Sequence, residues 1–171
     1  MLDLKKYVRD IPDFPKEGIL FRDITTVLKD PASLKDAIDA MSELVKNVEY
    51  DTVLGPESRG FIFGVPMAYN MGKGFVPVRK AGKLPAEVAA KDYALEYGTA
   101  TIEIHRDAVK PGQRFIIADD LLATGGTANA VCELIKELGG TVVAQVYFIE
   151  LLGLAGRDRL AGHDVRAVLT Y

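Results

Sequence analysis

The sequence predicts an α/β fold with a central, mostly parallel sheet flanked by helices. Three observations lead there. Short apolar, β-branched runs at residues 52–55, 75–78, 115–118 and 141–149 alternate with stretches of helical periodicity. Long intervening segments suit crossover connections, which parallel strands require. The 171 residues, 49% hydrophobic and 26% charged with no internal repeat, suit one domain with its own core.

In chain order, Leu4, Tyr7, Val8 and Ile11 share one helical face, and Pro12 ends that short helix. Residues 13–18 are punctuated by Pro and Gly and lead into the apolar Ile19, Leu20 and Phe21. Arg22 and Asp23 then suggest an exposed loop rather than a buried strand. Nothing before about residue 26 has an evident place in the sheet, so this stretch is expected to form a hood. Asp30 is placed to cap a helix that has Pro31 at its first position. Leu34, Ala37, Ile38, Met41, Leu44 and Val45 then recur at helical spacing.

Residues 52–55 read as a buried strand, 56–60 as a loop, and 61–71 as a helix with Pro66 near its middle. The strand at 75–78 is followed by a cationic loop over 79–85. From 87 to 104 the alternation is nearer period two, with a turn near Gly98, which predicts a hairpin projecting from the core. The turn Lys110-Pro111-Gly112 opens the central strand, and a helix over 128–138 closes at Gly139-Gly140. Strands at 141–149 and 165–169 complete the chain. In such a fold ligands gather at the carboxyl ends of parallel strands. The loops at Glu57, Arg79 and Asp119 each follow a strand, so they are expected to converge.

The densest signal is the run Asp119-Asp120-Leu121-Leu122-Ala123-Thr124-Gly125-Gly126-Thr127. A loop without bulky side chains lets backbone N–H groups approach an anion, and the following helix directs free amides and its positive dipole end at the same point. That describes a phosphate cradle. The two acids ahead of it can accept hydrogen bonds from hydroxyls or help hold a divalent cation, which points to a sugar phosphate. Commoner nucleotide motifs are absent. Residues 55–60 have a Walker-like glycine spacing, but Phe61 stands where a P-loop needs Lys.

Composition excludes other classes. A net charge of −3 gives no global basic field for nucleic acid, and no apolar run is long enough to span a bilayer. Residues 1–10 lack a signal-peptide core, so a cytoplasmic location is expected. Cys132 is the only cysteine and reads as a small core residue, while His105 and His163 lack metal-ligand spacing.

With these residues in view, the sequence resembles the type I phosphoribosyltransferases, in their adenine-using branch. The 119–127 run resembles the family's phosphoribosyl pyrophosphate (PRPP) motif. Further matches are Phe14-Pro15, Phe21-Arg22-Asp23-Ile24, Glu57-Ser58-Arg59-Gly60-Phe61, Arg79-Lys80 with Gly82-Lys83-Leu84-Pro85, and Leu95-Glu96-Tyr97-Gly98. The resemblance implies the type I fold as a single domain over 1–171, with a hood to about residue 26 and a flexible flap over about 80–104. It implies transfer of 5-phosphoribosyl from PRPP to adenine, giving AMP and pyrophosphate, in a homodimer.

The resemblance also assigns roles. Ala123, Thr124, Gly125, Gly126 and Thr127 would hold PRPP by its 5-phosphate, and Asp119 and Asp120 would take the ribose hydroxyls. Glu57, Ser58, Arg59, Arg79, Lys80 and Lys83 would hold pyrophosphate. Leu20, Phe21, Arg22 and Leu121 would hold adenine. Mg²⁺ is expected mainly on PRPP oxygens, with Asp119 and Asp120 acting through water. The related 6-oxopurine enzymes carry an acid where this chain has Ala123, so the acid/base role passes to Glu96, with Tyr97 beside it. Two alternatives stay open: a 6-oxopurine substrate, and a PRPP-binding regulator without turnover.

Overall fold

The computed structural model describes residues 2–94 and 98–171. The backbone forms two compact units, Met1–Ala40 and Met41–Tyr171.

In the first unit the apolar spacing around Leu4 yields only one 3-10 turn, Leu4–Tyr7. The chain then runs extended as β1 (Arg9–Pro12), paired antiparallel with β2 (Leu20–Asp23). The helix expected to continue to Ile11 is therefore a strand, consistent with the bias of a residue before proline towards extended backbone. Between the strands, Asp13 and Gly18 take positive φ, and the Gly18 N–H donates to Asp13 Oδ1 at 2.8 Å.

Residues 22 and 23 lie in β2 and not in an exposed loop. Asp23 is buried because its carboxylate is satisfied, accepting from Arg9 Nη2 at 2.5 Å and from the Thr25 N–H at 2.9 Å. Burial opposes its charge, but these donors outweigh it and hold its pKa below the usual carboxylate value. The helices α1 (Thr25–Leu28) and α2 (Pro31–Val45) follow. Asp30 caps α2 as the sequence indicates, its Oδ1 accepting from the Ser33 N–H at 2.8 Å.

The second unit is built on seven strands: β3 (Thr52–Pro56), β4 (Gly74–Lys80), β5 (Val88–Ala94), β6 (Thr99–His105), β7 (Arg114–Leu122), β8 (Thr141–Glu150) and β9 (Val165–Thr170). Their spatial order is β5-β6-β4-β3-β7-β8-β9. The five from β4 to β9 are parallel, and β6 joins β4 antiparallel. The fold class is therefore the expected one.

Strand β3 is buried throughout, which is why it reads as a continuous apolar run. Its alternate residues serve two layers. On one face α3 (Arg59–Asn70) brings Phe63 onto Phe148, with ring centroids 5.4 Å apart. On the other, α4 (Gly126–Glu137) packs Val131, Leu134 and Ile135 with Leu54, Phe115 and Ile117. Each such fully buried side chain contributes about 1.5–3 kcal/mol of transfer free energy. Pro66 sits inside α3. Having no N–H, it cannot give the Ile62 carbonyl its usual helical partner four residues on.

Two expectations need correction. The β5–β6 hairpin does not stand clear of the core: Ala89, Ile102 and Ile104 are buried within it, and Lys91 reaches Glu133 at 2.9 Å and Glu137 at 2.6 Å on α4. Arg79 and Lys80 lie at the end of β4 rather than in a loop, because they pair with Glu103 and Ile102 of β6. The short helix α5 (Gly156–Arg159), between β8 and β9, was also not expected.

Candidate active site

Strand β3 lies between β4 and β7, parallel to both, so the carboxyl ends of all three lie at one edge of the sheet. Glu57, just past β3, meets Arg79 near the end of β4 and Asp119 near the end of β7 there. Glu57 directly follows β3 and is joined to Ser58 by a cis peptide, and its N–H donates to Val78 O at 2.8 Å. Its carboxylate, 7% exposed, receives Arg79 Nε at 2.5 Å and Lys83 Nζ at 3.0 Å. Burial alone would raise the Glu57 pKa. The Arg79 and Lys83 cations, with the Lys80 backbone N–H, outweigh it and bring the pKa from 4.5 to about 2.

Across the gap, Arg59 at the start of α3 holds Asp120 with Nε 2.6 Å from Oδ2. Asp119 is the immediate neighbour, its Oδ1 accepting the Asp120 N–H at 2.8 Å. Burial and then the adjacent Asp120 charge push the Asp119 carboxyl well above the usual range. Burial also raises Asp120, against the pull of Arg59. Gly60 makes this approach feasible. A Cβ there would lie 3.0 Å from Ala118 O, Asp119 Oδ1 and Pro56 Cδ at once.

The cradle loop leads into α4. Gly125 takes φ of 77°, and its carbonyl accepts the Asn129 N–H at 2.9 Å. A Cβ on Gly125 would sit 2.7 Å from Gly156 O, and one on Gly156 only 2.3 Å from Ala123 O. The loop is therefore packed backbone to backbone against the first residue of α5. Gly156, outside every motif, is as necessary to its shape as the two glycines within it.

Two adjoining cavities open at this edge. The first, about 370 Å³, is lined by Asp119, Ala123, Thr124, Gly125, Gly126, Thr127, Tyr93, Tyr147 and Arg159, among others. The second, about 420 Å³, is lined by Glu57, Ser58, Arg59, Arg79, Lys80 and Asp120. Asp119, Leu121, Ala123, Thr127 and Tyr93 line both. Chemically, one chamber offers backbone amides and hydroxyls at a helix start. The other offers cations, and a carboxylate pair stands between them.

The structure thus brings together the residues expected to bind PRPP and pyrophosphate, including Lys83 through its pair with Glu57. Three of the cations expected to meet an anion, Arg59, Arg79 and Lys83, are paired with carboxylates of the chain itself. Leu20, Phe21 and Arg22 belong to the first unit, where Phe21 packs edge-on against Phe14 at 5.2 Å and Arg22 pairs with Asp10. Glu96 and Tyr97 lie outside the described residues. Tyr93, Tyr147 and Arg159 line the site and were missed. Register on the sheet reveals Tyr147, which stands beside Asp119 on the neighbouring strand, but no local pattern marks Arg159.

A family model described as the phosphoribosyl transferase domain matches residues 23–166. The chain is 58% identical over 171 residues to the adenine phosphoribosyltransferase of Lachnoclostridium phytofermentans, covering 100% of this chain and 98% of that one. Among solved structures, the adenine phosphoribosyltransferase of Thermoanaerobacter pseudethanolicus superposes with a TM-score of 0.96 at 49% identity, covering 99% and 98%. The Saccharomyces cerevisiae enzyme, complexed with an imino-altritol bisphosphate and adenine, gives 0.89 at 41% identity, covering 95% and 94%.

Proposed function

The chain belongs to the phosphoribosyltransferase family, and from that premise we propose that it transfers the 5-phosphoribosyl group of PRPP to adenine, releasing AMP and pyrophosphate. The observation that carries the reading is the pair of adjoining cavities that share Asp119, one a small-residue cradle and the other cationic. A ligand with a phosphate at one end and a pyrophosphate at the other suits both.

Residues 124–127 hold the 5-phosphate by backbone N–H groups and the two threonine hydroxyls, with Ala123 leaving the loop open. Asp119 and Asp120 accept from the ribose hydroxyls. Breaking the bond from C1 to pyrophosphate puts positive charge on the ribose and negative charge on the leaving group. The carboxylates lie where they favour the first, and Arg59, Arg79, Lys80 and Lys83 where they favour the second. The amides of residues 57–60 add donors. Because Glu57 holds Arg79 and Lys83, the incoming pyrophosphate group must compete with it for them.

Among the described residues no three His, Cys, Asp or Glu side chains come together to hold a metal ion. The site still suits Mg²⁺ bound mainly through substrate oxygens, with Asp119 and Asp120 reached through water. When bound, the ion neutralises charge on the pyrophosphate. Glu96 takes the N9 proton of adenine as the new bond forms, with Tyr97 beside it. These two roles, and base binding by Leu20, Phe21, Arg22 and Leu121, rest on the family resemblance.

A homodimer in the cytoplasm belongs to the same proposal. Its support on the surface is the stripe Ile62, Val65 and Tyr69 along α3, with Tyr69 85% exposed. Incubating the purified chain with PRPP, Mg²⁺ and adenine tests the reaction: AMP and pyrophosphate should form in equal amounts. PRPP binding without turnover would contradict it.

A further inference from the structure

Arg159 ends α5, in a stretch that matches none of the family's motifs, yet it reaches the cradle. A Cβ built on Gly126 would lie 3.0 Å from Arg159 Nη1, so glycine at that position leaves the guanidinium its seat. Arg159 lines the first cavity with Asp119 and residues 124–127, and among the described lining residues it is the one cation. Other arginines around the two cavities and on α5 are committed elsewhere. Arg157 donates from Nε and Nη2 to Glu150 at 2.6 and 2.7 Å, while Arg59 and Arg79 pair with Asp120 and Glu57. Among the described residues no carboxylate pairs with Arg159.

An unpaired guanidinium beside a loop of amides and hydroxyls matches a phosphate dianion, which it can meet through two parallel N–H donors. The cradle's other donors are neutral, and Asp119 adds a carboxyl group to the same cavity. A dianion placed there needs a countercharge, and Arg159 is the side chain positioned to give it. We propose that Arg159 is a binding residue for the 5-phosphate, closing on it from α5 opposite the amides of the cradle loop. This rests on the PRPP-binding reading above. It adds that recognition of the phosphoryl end depends on a charge supplied from outside the 119–127 run.

The two cavities allow a clean test, because ribose 5-phosphate addresses the first and pyrophosphate the second. Calorimetric titration of the full chain, its Arg159→Gln variant and its Arg159→Lys variant with each ligand is the experiment. Arg159→Gln should bind ribose 5-phosphate about tenfold or more weakly, the loss of a charge-assisted hydrogen bond, with pyrophosphate affinity unchanged. Arg159→Lys should recover part of the difference. In kinetics the KM for PRPP should rise while that for adenine stays level. Unchanged ribose 5-phosphate affinity in Arg159→Gln would overturn the proposal. So would an equal loss for both ligands, which would make Arg159 a strut. Failure of the parent chain to bind ribose 5-phosphate would instead overturn the underlying PRPP reading.

Discussion

Arg79 Nε lies 2.5 Å from Glu57 Oε2, so the ends of two adjacent parallel strands are tied by an ion pair inside the cationic cavity. This pair has consequences for stability. Glu57 has a pKa of about 2 in the folded chain against an ordinary 4.5. A carboxylate whose pKa is lowered on folding stabilises the fold fully above its unfolded value and loses that contribution as pH falls towards the folded one.

Denaturant titrations between about pH 5 and pH 2 should therefore show the parent chain losing stability faster than Glu57→Gln. At neutral pH the variant should be less stable by about 1–3 kcal/mol, since Arg79 and Lys83 lose their partner. Parallel pH profiles would show that Glu57 is not the group responsible.

Asp120→Asn is expected to act oppositely on the two ends of the substrate. It removes an acceptor for the ribose and so should raise the KM for PRPP about tenfold. It also releases Arg59, now held at 2.6 Å, so inhibition by pyrophosphate should persist or strengthen. Parallel weakening of both would place Asp120 in the scaffold alone.

Gly125→Ala tests the cradle's shape, with Gly72→Ala as its reference. Both glycines have positive φ, but a Cβ on Gly72 meets nothing within 4 Å whereas one on Gly125 meets Gly156 O at 2.7 Å. Gly72→Ala should cost about 1–2 kcal/mol, the penalty of a left-handed backbone alone. Gly125→Ala should cost clearly more and weaken AMP binding as well. Equal costs would mean that the start of α5 yields easily.

Glu96→Gln should lower kcat about a hundredfold or more while PRPP binding is retained, as expected for a residue that moves a proton in the reaction. Rapid-mix kinetics with PRPP and adenine, alongside PRPP titration, separates the two. Normal turnover would remove Glu96 from the mechanism.

The parallel core was readable in the sequence because strands buried on both faces carry unbroken apolar runs and helices leave a 3.6-residue period. The 119–127 run was readable for a related reason, since a cradle needs small residues in sequence order. What escaped was set by distant partners. Asp23 looked like a loop residue because its burial depends on Arg9, fourteen positions away. Arg79 and Lys80 looked like free loop cations because only β6 makes them strand residues. Gly156 and Arg159 carry no local signature. They matter because β8 returns the chain to the cradle, and only the folded register brings Gly156 O within reach of Gly125.

Whether the phosphoribosyl group goes to adenine in particular is decided by comparing bases. Initial rates of nucleotide formation should be followed with PRPP and Mg²⁺ and adenine, hypoxanthine or guanine, each with and without EDTA. Turnover is expected with adenine alone and should be abolished by EDTA, since Ala123 replaces the acid that serves 6-oxopurines. Turnover with hypoxanthine or guanine at a comparable rate would contradict it.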